Sequence, residues 1–316
     1  MIELKLSNYH QNAKILNNEL VIGDHLCGFD KELNSEVLTS VVDRAKKQNI
    51  KNIYTGYVFS DELKKIYNFQ NLKYREVLVG GDGWKGMCEY RIHPHINYQN
   101  FVCSFNGSHH VSRQLLSSIL NNQGYFNPDY SSKNFAYDNN WITSHLDNLD
   151  LTDTEIQLYS KFFVNDDEFN NSVYSFGHIR FDHKNNIYNL ENKLTQSFVH
   201  IVSETMATSY YPFVTEKFLY SIVTRGLFLA YAQPTWHRHI EKYYGFKLYD
   251  KIFDYEFDGI QNPVKRLIRL IEIVSKFSTL SVDDWRDLYH IEQDNIEYNY
   301  DHYFSGRYKE HLAQFE

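Results

Sequence analysis

Phe198-Val199-His200-Ile201-Val202 is a run of β-branched and aromatic residues that leads into Ser203-Glu204-Thr205. Such a run is read as a central strand. A loop of about ten residues follows, within the range usual for functional connections. Pro212-Phe213-Val214-Thr215-Glu216-Lys217 then opens a helix expected over 215–225, with Phe218, Leu219, Ile222 and Val223 on its inward face. Gly226 is expected to end that helix, and Leu227-Phe228-Leu229-Ala230-Tyr231 to form the next strand. A strand ending in a carboxylate, followed by a loop and a helix N-terminus, is where open α/β sheets bind nucleotides.

Upstream, the same pattern begins with the apolar run Phe101-Val102-Cys103-Ser104-Phe105 and the turn Asn106-Gly107-Ser108. The following helix carries Val111, Leu115, Leu116, Ile119 and Leu120 on one face, with Ser108 as its expected cap. The first hundred residues alternate expected strands at 2–6, 19–22, 52–57 and 76–79 with a helix over 33–48, marked by Leu33, Val37, Val41 and Ala45. This predicts a layered α/β domain on a mainly parallel sheet. Residues 122–182 read as loops with a helix near 153–163. Asn262-Pro263 opens a helix with Val264, Leu267, Ile268, Ile271 and Val274 as its apolar stripe. The reading gives an N-terminal α/β domain over 1–97 and a nucleotide-binding α/β domain over 98–281. A helical segment over 282–316 is expected to pack back on the first domain.

A chain of 316 residues suits two such domains. With 32 Lys and Arg against 40 Asp and Glu, the formal charge is −8, which does not favour a polyanionic partner by default. Cys27, Cys88 and Cys103 lack the spacing of zinc or redox motifs and are expected as small buried hydrophobes in a reducing compartment. The N-terminus has no signal pattern and no apolar run reaches membrane-span length. The expected location is cytoplasmic.

Lys217 is anomalous, because a cation in a first helical turn opposes the helix dipole unless an anion sits there. A diphosphate would meet both the backbone N–H groups and the ammonium, while Glu216 would accept hydrogen bonds from hydroxyls. Arg113, at the start of the other helix, would complete a clamp on a pyrophosphate. The plainer alternative is that Glu216 complements the dipole while Lys217 and Arg113 are solvated.

The run 202–205 through 213–217, continuing into the strand at 228–232, resembles the donor-site motif of the α1,3-fucosyltransferase-like glycosyltransferases. It is closer still to transferases of phages and large viruses. Ser104-Phe105-Asn106 followed by Arg113 is similar to the strand-turn-helix that brings that family's phosphate-binding arginine. The resemblance covers roughly 100–280, with Thr215-Glu216-Lys217 its most distinctive part.

It implies two Rossmann-like domains facing across a cleft, the GT-B arrangement, with the donor site in the second domain and the acceptor side in the first. Lys217 and Arg113 would hold the diphosphate of a nucleotide-sugar donor, Glu216 would contact the ribose or sugar, and Glu204 would shape the nucleotide pocket. Phe213 stands where a tyrosine is common, which removes one hydroxyl contact. Asn106, His109 and Thr215 join the expected donor-binding set. The acceptor would be a glycan, a protein or a hydroxymethylated DNA base, and the host cytoplasm the setting for a viral protein. A non-catalytic nucleotide-binding or assembly protein of the same fold is the alternative.

An inverting transfer needs a base for the acceptor hydroxyl. Asp24 in Gly23-Asp24-His25, His25 itself, and Asp82 in Gly80-Gly81-Asp82-Gly83 are the candidates, although residues in such settings are more often turn residues or caps than catalysts. The histidine clusters 93–95, 109–110 and 237–239 match no metal-ligand spacing and read as surface or cleft residues, with no metal expected. No cofactor is expected to be permanently bound. A Rossmann oxidoreductase or methyltransferase is disfavoured by the missing glycine fingerprint, and a hydrolase by the missing nucleophile elbow.

Overall fold

The computed structural model describes residues 2–6, 11–16, 19–22, 47, 52–55, 72–74, 97–107, 110–136, 152, 166–177, 183–204, 207, 212 and 214–314. They form a mixed α/β structure.

The N-terminal part holds five strands, β1 (Ile2–Leu6), β2 (Gln11–Leu16), β3 (Glu19–Ile22), β4 (Asn52–Thr55) and β5 (Leu72–Tyr74), in the order β1-β2-β3-β4-β5. The first two pairings are antiparallel and the last two parallel, which corrects the expected mainly parallel sheet. Chain length explains the difference. Leu16 and Glu19 are too close for a crossover, so β2 and β3 must pair as a hairpin, whereas β3 to β4 leaves room for a helix. Of the expected helix over 33–48, Lys47 is described and is helical. The expected strand at 76–79 and helix at 153–163 lie outside the described residues.

The second sheet is parallel throughout, in the order β10-β9-β6, with β6 at Asn100–Cys103, β9 at Ser197–Ser203 and β10 at Leu227–Tyr231. Every residue of β9 and β10 is buried, as a parallel sheet covered on both faces requires. The helices flanking these strands are α1 (Val111–Asn122), α3 (His183–Thr195), α4 (Lys217–Val223) and α6 (Pro263–Ser275). A short side ribbon pairs β7 (Phe105–Asn106) with β8 (Ser132–Lys133), and α2 (Asp167–Asn171) lies beside it in space. There the Lys133 ammonium donates to the Phe135 and Asn170 carbonyls at 2.9 and 3.1 Å.

Two local expectations change. Helix α1 is entered through His110 at its N-cap position rather than through Ser108, which lies outside the described residues. At the end of α4 the left-handed residue is Arg225, at φ 53°, and Gly226 answers a different need. A Cβ there would come within 2.0 Å of the His200 ring. That ring bridges α4 and α3, with Nδ1 2.9 Å from Ser221 Oγ and Nε2 2.8 Å from the Leu194 carbonyl.

Helix α5 (Trp236–Tyr244) follows β10, and α6 starts on Asn262, whose side chain accepts from the Val264 and Lys265 amides. The tail forms α7 (Val282–Ile291), α8 (Gln293–Phe304) and α9 (Arg307–Ala313). The tail docks on the layer of the parallel sheet. Helix α8 packs on α4 and α9 on α5, while Trp285 of α7 stacks 5.4 Å from Phe198 and 5.5 Å from Phe101. The Trp285 indole N–H donates to the Phe277 carbonyl, so both the apolar and polar needs of this side chain are met at the start of β6 and β9.

Candidate functional site

Strands β6, β9 and β10 are parallel, so their carboxyl ends share one edge. At that edge β9 runs into Glu204, which is fully buried. Its carboxylate does not face solvent: Oε2 accepts the Thr215 hydroxyl at 2.5 Å and Oε1 the Thr215 amide at 3.2 Å. The loop leaving β9 is therefore closed onto its own start just before α4 begins.

Lys217, the first residue of α4, folds back into this lock. Its ammonium donates to Thr215 Oγ1 at 2.9 Å and lies 3.9 Å from Glu204 and 3.7 Å from Glu216. The dipole penalty of a cation in the first turn is thus offset inside the protein, and a bound anion is not required to explain the residue. Its side chain keeps 21% exposure and that of Glu216 17%, so both sit at the rim of the cluster.

Arg113 enters from α1 and is 4% exposed, which rules out the solvated alternative for it. Burial pulls its pKa down to about 10, opposed by the Glu204 and Glu216 carboxylates, and it stays charged at neutral pH. Burial pushes the Glu204 carboxyl up, against the opposing pull of Lys217 and the Thr215 hydroxyl. Helix α1 also touches β9's end directly, since Ser112 Oγ lies 3.4 Å from the Glu204 carbonyl. Arg113, Glu204, Thr215, Glu216 and Lys217 therefore belong to one charged cluster.

Asn106 is buried but occupied with its own ribbon. Its amide donates to Ser132 Oγ at 3.2 Å and its side-chain nitrogen to Ser104 Oγ at 3.1 Å. Asn106 Oδ1 has no hydrogen-bond partner among the described residues. His109, Phe213, Asp24, His25 and Asp82 lie outside the described residues.

The expectation that the histidines are surface or cleft residues is corrected at His237 and His239, both of which are buried. His237 Nε2 accepts the Ala230 amide at 3.0 Å, which places the proton on Nδ1, 2.7 Å from Asp258. The pair closes the free side of strand β10. Asp258 also accepts the His237 and Arg238 amides and so caps α5 from a distance. Burial pushes the Asp258 carboxyl up, but His237 and these amide donors outweigh it and hold it below its ordinary value. Among the described residues no group of three or more His, Cys, Asp or Glu side chains could hold a metal ion. Cys103 is buried, with its thiol pushed up to about 12 by burial, and is a packing residue.

Comparison with protein-family models, with curated proteins and with solved structures returned no match. Among the described residues no helix is long and apolar enough to cross a membrane.

Proposed function

We propose that the chain is a glycosyltransferase that moves a sugar from a nucleotide-sugar donor to an acceptor hydroxyl, with Arg113 and Lys217 gripping the donor diphosphate. The observation that carries this reading is the meeting of those two cations, each from the first turn of a helix that follows a different parallel strand, at the strand-end carboxylate Glu204. Burial shifts the Glu204 carboxyl toward its neutral form, and a weaker negative charge there favours an anion beside Arg113 and Lys217.

In the reaction the acceptor oxygen forms a bond to the anomeric carbon as the bond to the diphosphate oxygen breaks. Charge gathers on the leaving nucleoside diphosphate, where Arg113 and Lys217 would stabilise it without a metal. A carboxylate or imidazole of the N-terminal part would take the acceptor proton, with Asp24, His25 and Asp82 as candidates, and the sugar would transfer with inversion. The GT-B arrangement, with the acceptor side in residues 1–97, belongs to the same proposal.

A second reading, nucleotide binding without transfer, is favoured by the internal satisfaction of Lys217 and Thr215 described above. The two separate in one assay. The protein is incubated with a panel of nucleotide sugars and release of nucleoside diphosphate is followed for the wild type and Lys217→Gln. Release from one donor, lost in the variant, supports the transferase; binding without release supports the second reading; neither binding nor release overturns both.

A further inference from the structure

Arg266 sits on α6 and is 1% exposed, a position where an apolar side chain would pack at lower cost. What the guanidinium does there is visible in its acceptors. Nε donates to the Ala232 carbonyl at 2.9 Å, Nη1 to the Gln261 carbonyl at 3.1 Å and also to that of Ile260, and Nη2 to the Ala207 carbonyl. These four carbonyls come from three separate stretches of chain.

Two of them define the site's edge. Ala207 belongs to the connection that leaves Glu204 and returns at Thr215, and Ala232 is the first residue beyond β10. The other two precede α6. One planar fork thus ties the segments leaving two neighbouring strands to each other and to the start of a helix. A second tie joins the same strand ends, since the Glu204 amide donates to the Tyr231 carbonyl at 3.1 Å. An ammonium could not reproduce this pattern, because its donors are tetrahedral around one nitrogen and the carbonyls sit around a fixed fork.

We infer that Arg266 is a positioning residue for the nucleotide site, holding Ala207, between Glu204 and Thr215, against Ala232 without touching the ligand. The inference rests on the reading under Proposed function. Displacing that connection moves Thr215 and Lys217 relative to Arg113, and a clamp built from two elements loses affinity when either one shifts.

The test compares wild type, Arg266→Lys and Arg266→Met by hydrogen exchange and by calorimetry with a panel of nucleoside diphosphates. Arg266→Lys is expected to fold, to bind about tenfold more weakly, and to show faster exchange in peptides carrying Ala207 and Ala232, with peptides from β9 unchanged. Arg266→Met tests the same residue without its charge and is expected to show the same local exchange change. Wild-type exchange and affinity in both variants would overturn the inference, as would faster exchange spread equally over β9 and α6, which marks a purely structural role. If the wild type binds no nucleotide, the functional reading fails, and the local exchange change then supports Arg266 as the tie alone.

Discussion

The two ends of the three-stranded parallel sheet are built from opposite materials. At the amino ends of β6 and β9, Tyr98, Phe101, Phe198, Phe277 and Trp285 form a set of contacting rings, with the stacked Phe198 and Trp285 planes nearly parallel at 7°. At the carboxyl ends lie Arg113, Glu204, Thr215, Glu216 and Lys217, with Arg266 nearby. Ring packing stabilises directly, whereas buried charges cost desolvation that their mutual attraction only offsets. One edge holds the layer together, and the other keeps an arrangement that is costly to bury.

Substitutions can break this contrast, beginning with the largest effect. Trp285→Ala removes the ring between Phe101 and Phe198 and should cost about 3–5 kcal/mol, seen as a lower denaturation midpoint. Nucleotide affinity of the folded fraction should not change. A comparable loss of affinity would mean that the two ends are not separate in function.

Glu204→Ala is expected to follow closely, at about 3 kcal/mol, because it leaves Arg113 buried without its carboxylate and releases Thr215. Glu204→Gln keeps hydrogen-bonding capacity while deleting charge, so it should cost less and bind anions more tightly than wild type. Weaker anion binding in Glu204→Gln would contradict the assigned electrostatics.

Between the two ends, buried histidines give a pH signature. Burial holds His200 at about 4 and His239 at about 3, both below the ordinary histidine value. The unfolded chain therefore takes up protons at these positions before the folded one does. Stability is fully present above about pH 6.5 and falls as pH drops toward 4, by up to about 1.4 kcal/mol per pH unit for each histidine. Thermal denaturation between pH 7 and 5 should show this slope, and His200→Gln should reduce it. An unchanged slope would mean that other groups dominate acid unfolding.

Lys217→Gln should have the smallest effect on stability, within about 0.5 kcal/mol, because the ammonium is at the rim. It should nonetheless weaken nucleotide binding. This separation of stability from affinity distinguishes the charged edge from the aromatic one.

Much of this sheet is legible in the sequence. The expected strand over Leu227–Tyr231 matches β10, and the apolar stripe of α4 is buried as its spacing predicts. The antiparallel start of the N-terminal sheet was equally present in the short spacing between β2 and β3, but β2 reads Gln11-Asn12-Ala13-Lys14-Ile15-Leu16, too polar to announce a strand. Thr215, Glu216, Lys217 and Arg113, which the sequence singles out, do meet at one edge of this sheet. What one-dimensional reading could not supply was the hydrogen bonding. The Glu204–Thr215 lock spans a loop, Asp258 caps α5 from another segment, and Arg266 binds main-chain carbonyls that have no residue signature. Each depends on chain folding rather than on residue type. The same limit explains the tail: its helices were readable, but their attachment to α4 and α5 is set by shape.

The most direct test of the account is calorimetric titration of nucleoside diphosphates into wild type, Lys217→Gln, Arg113→Lys and Trp285→Ala. Selective binding of one nucleotide is expected, weakened about tenfold or more in the first two variants and unchanged in folded Trp285→Ala. No binding to the wild type, or equal affinity in wild type and Lys217→Gln, would contradict it.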